Sequence, residues 1–320
     1  MGKDAMKSIA ILGASGHVGK NVTKFLSEKP NYRIYLFVRS QRKMVSFLRE
    51  NKMMNNDNIS IFTYEDFRQG MYDIVINCIG IGDPNELLRQ PYRIFQITEE
   101  FDNLVLNYIG NNSNTLYINF SSGAIYGTDF NEEASESKLA SIDINHLGIK
   151  DFYGISKLHM EAKHRSLANN FIVDIRIFGF FSRYIDRNSS FFLNDVTNSI
   201  LNNKPLITSR QNMIRDYIHP SDLMLLIECC IDKHSINTSY DAYSLNPVTK
   251  VEIIEQCIME HKLQVQYQND AGQSQSVTGS KSNYYSVNKS AAEIGYCPSY
   301  SSMKCVLEVI NQLKSGILNV

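Results

Sequence analysis

The sequence predicts an α/β fold, a doubly wound parallel sheet with helices on both faces. Short apolar runs alternate with stretches of helical spacing, and the first run is followed at once by glycines at 13, 16 and 19. The run Ser8-Ile9-Ala10-Ile11-Leu12 reads as the first strand, with Met1 to Met6 as a short extension ahead of it. Val18 to Leu26 has helical spacing, which completes the strand–turn–helix that a dinucleotide fingerprint requires. Arg33 to Arg39 reads as the second strand, Ile59 to Thr63 as the third and Asp73 to Ile79 as the fourth. Thr115 to Ser121 and Ile172 to Phe178 follow as the fifth and sixth. Runs of this length without polar alternation suit strands covered on both faces. Helices are expected at 40–51, 92–110, 151–169 and 191–202. Strands separated by helices imply the doubly wound sheet. Gln264 to Asn283, rich in Gln, Ser and Asn, reads as a loop over the substrate site or a solvated connection.

At 320 residues the chain can bury a large core, and its net charge of −1 gives no reason to expect nucleic acid or a membrane surface as partner. No run is long and apolar enough to span a bilayer. The six cysteines, at 78, 229, 230, 257, 297 and 305, form no metal-ligand spacing. Reduced core thiols in a cytoplasmic protein are therefore expected, with no metal.

The chemistry is carried by a set of separated residues. Tyr153 and Lys157 are four apart and share one face of a helix. There the ammonium can lower a phenol pKa that is otherwise about 10. Ser122, in the pair Ser121-Ser122, could hydrogen-bond a substrate oxygen that gains or loses a proton. Carbonyl/carbinol chemistry needs such a proton carrier beside a hydride carrier. Glycines at 13, 16 and 19 permit a tight turn, and the following helix presents N–H groups to a pyrophosphate. Where an acidic residue would bind a ribose 2′-hydroxyl, the chain has Arg39 followed by Ser40, Arg42 and Lys43. A guanidinium attracts a 2′-phosphate. NADP(H) is the expected cofactor, and NAD(H) the alternative.

With Gly-Ala-Ser-Gly-His-Val-Gly at 13–19, Ser-Ser-Gly-Ala-Ile-Tyr-Gly at 121–127, Tyr-Gly-Ile-Ser-Lys at 153–157, Arg176-Ile177-Phe178-Gly179 and the stretch from Arg215 to Leu223, the chain resembles an extended short-chain dehydrogenase/reductase acting on nucleotide-activated sugars. The resemblance implies a Rossmann-type domain over 7–178, which also receives a return segment near 205–245, and a discontinuous substrate lobe over most of 179–320. It implies cofactor contacts from Gly13, Ser15, Gly16, His17, Val18, Gly19, Arg39, Ser40, Asp66, Gly80 and Lys157, Asp66 matching an adenine-contacting aspartate. Ser122, Tyr153 and Lys157 become the catalytic set. The substrate candidates are Ser121, Asn85, Arg183, Lys204 and Arg215, the last matching a diphosphate-binding arginine. His219 and Asp222 fit packing and helix-start roles, and His146 and His159 have no partner readable from spacing.

Three departures narrow the reading. Gly123 and Ala124 stand where the family's dehydratases carry Asp-Glu, so water elimination is not expected. Gly179 replaces an asparagine that helps bind the diphosphate, and Ser182-Arg183 replaces a Gly-Pro turn. An NADPH-dependent reductase of a 4-keto(-6-deoxy) sugar nucleotide is the first expectation. An NAD-dependent 4-epimerase is the alternative, and a sensor without catalysis the third reading. A homodimer built on the helices at 92–110 and 151–169 is expected by the same resemblance.

Overall fold

A computed structural model describes residues 6–268 and 281–318. In chain order the elements are β1 (Lys7–Leu12), α1 (His17–Leu26), β2 (Tyr32–Phe37), α2 (Gln41–Glu50), β3 (Ile59–Phe62), β4 (Ile74–Asn77), α3 (Pro84–Arg89), α4 (Arg93–Asn111), β5 (Leu116–Ser122), α5 (Ile149–Ser166) and β6 (Ile172–Ile177). Then come α6 (Phe192–Asn202), β7 (Leu206–Ser209), β8 (Ile214–Arg215), α7 (Pro220–Lys233), β9 (Asn237–Asp241), β10 (Val248–Thr249), α8 (Lys250–His261), β11 (Val265–Gln268), β12 (Asn283–Tyr284) and α9 (Ser302–Leu318).

The main sheet has seven strands in the order β3-β2-β1-β4-β5-β6-β9. All its pairings are parallel. Parallel strands covered on both faces need apolar side chains throughout, and every residue of β4 and β5 is buried. The order reverses between β1 and β4, which opens a crevice at the carboxyl ends of those strands. The glycine turn after β1 lies there.

A second core gathers Phe181, Val196, Ile254, Cys257, Val306 and Ile310 from α6, α8, α9 and the segment after β6. Two small sheets accompany it, β10-β8-β12 and β11-β7. The return to the main sheet is made by α7, whose Leu223, Leu226 and Ile227 join the sheet's core, and by β9. β7 and β8 stay in the small sheets, so the return starts later than residue 205.

Gln264 to Asn283 is not wholly a loop. Val265–Gln268 pairs with β7 and Asn283–Tyr284 with β8, because long-range pairing outweighs the polar composition of both ends. The centre of that stretch, 269–280, lies outside the described residues. No helix among the described residues is long and apolar enough to cross a membrane.

Candidate active site

The cofactor side is built on the first turn. Gly13 adopts φ +73°, and a side chain there would strike Ile79 Cγ1 at 2.8 Å. Gly16 is the N-cap of α1 and provides no side-chain cap. The turn from Gly13 through Ser15 to Val18 and Gly19 thus presents main-chain N–H groups at a helix N-terminus, where an anion is stabilised.

His17 does not simply line this turn. Its Nε2 lies 2.8 Å from Ser182 Oγ and its ring packs on Phe180 with centroids 4.8 Å apart. Burial, with help from Lys20, pushes its pKa down to about 4, so the imidazole is neutral.

Arg39 is exposed two residues beyond β2, and Ser40 caps α2 by accepting from Lys43 N. Asp66 is engaged through one of its oxygens by its own turn. Its Oδ2 accepts from Thr63 N at 3.0 Å and Thr63 Oγ1 at 2.9 Å, a capping box that ties the carboxylate to its own turn. Tyr64, which motif reading passed over, lies near both Gly13 and Arg39, with its ring 4.7 Å from Phe101. Burial raises its phenol to about 12, Arg39 working against the rise.

The reactive side joins the end of β5 to α5. Ser122 ends the strand and accepts from Ala124 N at 3.2 Å. Gly154 explains why α5 reaches this turn, because a Cβ there would lie 2.6 Å from Ala124 O. The glycine lets helix and turn touch backbone to backbone, bringing Tyr153 beside Ser122, whose hydroxyl favours the ionised phenol. Lys157 is buried and donates from Nζ to Phe120 O at 2.9 Å. Gly80 lies beside it, since a Cβ at Gly80 would be 3.9 Å from that Nζ.

The expected lowering of the tyrosine is not found. Burial raises the Tyr153 pKa and the Ser122 hydrogen bond only partly opposes it, because the Lys157 ammonium is turned to a carbonyl. Lys157 is itself lowered by burial, with Asp174, Asp102 and Glu161 opposing.

The substrate candidates separate. Arg215 is half-buried on β8, its Nη1 donating to Ile214 O and to Lys281 O at 2.8 and 2.6 Å. Its guanidinium is 5.8 Å from the Tyr284 ring. Lys281 Nζ sits 4.2 Å over the same ring. Burial, then repulsion from Arg215, lowers Lys281 to about 7. Neither cation pairs with a carboxylate among the described residues. Tyr284 OH is 3.0 Å from Ser122 Oγ. Sequence reading missed Lys281 and Tyr284. They carry no motif and reach the site only because β12 pairs with β8, Tyr284 opposite Arg215.

Ser121 turns away, donating to Glu161 at 2.5 Å, because residues alternate sides along β5. Glu161 in turn holds Arg176. Arg183 reaches Asn51 Oδ1 at 2.6 Å, at the end of α2. Lys204 is exposed just after α6. The Asn85 amide donates to the Ser190 hydroxyl. Gly179 could not be an asparagine, since a Cβ there would lie 2.6 Å from Asp216 O. Asp216 accepts from Ser244 and Ser302, and Asp222 from the amides of Ser299 and Tyr300, so neither pairs with Arg215.

Behind α5 lies a buried ionic cluster. His164, fully buried, bridges Asp102 at 2.7 Å and Asp174 at 2.9 Å. Lys163 joins Asp102 at 2.7 Å and Arg165 joins Asp174 at 2.9 Å. Burial opposes the His164 charge, but the two carboxylates raise it to about 9.

The family model described as "NAD dependent epimerase/dehydratase family" matches residues 9–245. In fold the chain is similar to the UDP-N-acetylglucosamine 4-epimerase from Methanobrevibacter ruminantium M1, with TM-score 0.79 and 16% identity over 98% of this chain and 99% of that one. It is also similar to the UDP-glucuronic acid 4-epimerase from Bacillus cereus solved with UDP-glucuronic acid and NAD, with TM-score 0.78 and 16% identity over 96% and 99% of the two chains. The NAD complex of dTDP-glucose 4,6-dehydratase from Bacillus anthracis gives TM-score 0.77 and 15% identity over 97% of each. By sequence it is 26% identical over 105 residues to the bifunctional polymyxin resistance protein ArnA from Wigglesworthia glossinidia brevipalpis, which is 32% of this chain and 16% of that protein.

Proposed function

We propose, for a chain that belongs to the NAD dependent epimerase/dehydratase family, that it reduces the keto group of a nucleotide-activated 4-keto(-6-deoxy) sugar with NADPH. The observation that carries this reading is the gathering of Ser122, Tyr153 and Lys157 beside the glycine turn, with Arg39 exposed just beyond β2. A bound nicotinamide dinucleotide supplies hydride transfer. The turn from Gly13 to Gly19 would hold its pyrophosphate, Lys157 its ribose, and Arg39 a 2′-phosphate.

Tyr153 hands the phenol proton to the carbonyl oxygen as that oxygen becomes a hydroxyl. Burial keeps Tyr153 protonated, which is the form an acid needs. Ser122 orients the carbonyl through its hydroxyl. Arg215 and Lys281 supply the positive charge that a substrate diphosphate neutralises. Elimination of water is disfavoured at the same turn. A Cβ on Gly123 would lie 2.3 Å from Phe178 Cε1, so an acidic side chain has no room there.

The second reading is a 4-epimerase. It is favoured by the epimerases among the structural neighbours, one solved with NAD. In it Tyr153 takes the proton as the sugar is oxidised and returns it when the ketone is reduced on its other face. Denaturing the purified protein and weighing the released dinucleotide separates the two. Partial NADP(H) or none is expected for an exchanging cosubstrate, whereas stoichiometric NAD+ would turn the assignment to the epimerase. Tyr153→Phe should reduce turnover by about a thousandfold with cofactor affinity kept, and retained turnover would overturn both readings.

A further inference from the structure

We infer that Ser182 fixes the tautomer of His17, so that the imidazole offers a neutral Nδ1–H to a phosphate oxygen of the dinucleotide at the glycine turn. The phosphate contact rests on the cofactor assignment above, whereas the tautomer does not.

The count of protons at Ser182 sets the direction. Its buried hydroxyl has one proton to give and two lone pairs to offer. The Tyr184 N–H donates to Oγ at 3.2 Å and the Asn21 side-chain amide at 2.8 Å. The orientation of Asn21 is fixed, because the same Nδ2 lies 2.8 Å from the His17 carbonyl, which can only accept. Both lone pairs are therefore taken by groups that can only donate. The Ser182 proton goes to the remaining neighbour, His17 Nε2, at 2.8 Å. A ring nitrogen that accepts carries no proton, so the neutral imidazole keeps its proton on Nδ1. An imidazolium would aim a third donor at Ser182, which has no lone pair left for it. Burial keeps the ring neutral for its own reason.

The place of that Nδ1–H follows from where the ring starts. His17 is the first residue of α1, directly after Gly16, and the amides of this first turn have no acceptor within the helix. Nδ1 is bonded to Cγ and stays close to its own main chain, while Nε2 reaches out to Ser182. Phe180 packs on the ring and holds it in that pose. Nδ1 meets no acceptor among the described residues. It adds one side-chain donor to the main-chain donors that the turn presents to an anion. Ser182 comes from the segment after β6, whose Phe181 belongs to the second core. A donor on the cofactor turn is thus set from the other lobe, across 165 positions of chain.

The test uses the full chain labelled with 15N-histidine, the His17 ring being assigned from His17→Phe. At about pH 7, without ligand, correlations from the ring carbon protons should show a protonated Nδ1 and a bare Nε2. In Ser182→Ala the two tautomers should mix, with circular dichroism confirming the fold. An Nε2–H tautomer in the parent would overturn the inference whether or not that variant folds, and so would an unchanged spectrum in the folded variant. Saturating NADPH or NADH should then move the His17 Nδ1 resonance. His17→Phe keeps a ring against Phe180 and deletes the donor, and it should weaken both dinucleotides alike by about tenfold, the worth of one hydrogen bond to a charged group. An unmoved resonance, or an affinity equal to the parent's, would overturn the phosphate contact. A parent that binds neither dinucleotide would overturn the cofactor assignment itself, while the spectrum without ligand still decides the tautomer.

Discussion

Two clusters of buried charge flank helix α5, and they are built on opposite principles. Behind the helix, His164 lies between two carboxylates, and each carboxylate has a further cation, Lys163 or Arg165. Tyr117 and Asn119 supply further hydrogen bonds at 3.1 and 2.6 Å. On the Ser122 side, Arg215 and Lys281 converge on one aromatic ring, that of Tyr284, with no carboxylate paired to them among the described residues. A cluster compensated from within serves the fold, because removing one member strands a charge that cannot reach water. A pair of cations left uncompensated in a cleft calls for an anion from outside. The same residue types therefore mean different things according to what faces them.

The sharpest way to break the comparison is to unbalance the closed cluster. Asp174→Ala should cost about 4 kcal/mol and lower the melting temperature by roughly 10 °C, because His164, Arg165 and Asn119 lose their shared acceptor. A fall under about 1 kcal/mol in denaturant melts would show that the cluster is not structural.

Arg215→Met should do the reverse. Stability should stay within about 1 kcal/mol of the parent while nucleotide-sugar affinity falls about a hundredfold in calorimetric titration. A loss of stability with affinity unchanged would place Arg215 in the fold instead.

The smallest effect is a difference in pH dependence. His164 is raised in the folded state, so its contribution is fully present below about pH 6.5 and is lost as pH rises through about 9. Lys281 is lowered to about 7, so the folded state sheds its proton before the unfolded chain does. Stability then gains from this group as pH rises from about 7 toward about 10.5, while its hold on an anion weakens. Urea melts from pH 6 to 10 should show a steeper alkaline loss in Lys281→Met than in the parent, and a shallower one in His164→Gln. Parallel curves would remove both assignments.

Much of this arrangement was legible in the sequence. Six of the seven central strands were readable, because a strand covered on both faces must be apolar, as Ile74 to Ile76 and Leu116 to Phe120 are. The seventh, Asn237-Thr238-Ser239-Tyr240-Asp241, is a polar edge strand and could be read only as a region returning to the sheet. Ser122, Tyr153 and Lys157 were readable because two fall four apart on one helix and the third follows an apolar strand. What could not be read is direction. Ser121 and Ser122 are neighbours in sequence, but strand alternation sends one to Glu161 and the other to the cleft. The capping role of Asp66 was not legible either, because the bond from Thr63 to its Oδ2 depends on the geometry of a short turn. Lys281 and Tyr284 were hidden for another reason. Strands of two residues have no periodicity, and their placement depends on partners far away in the chain.

The pairing of Ser122 with Tyr284 spans 162 positions, and this sets an order on the birth of the molecule. A ribosome delivers β9 well before β12, so a nascent chain emerged to about residue 250 already carries every strand of the main sheet. It carries the glycine turn, Ser122, Tyr153 and Lys157 as well. Such an intermediate carries the whole seven-stranded sheet while still lacking the phenol that its serine meets in the finished chain.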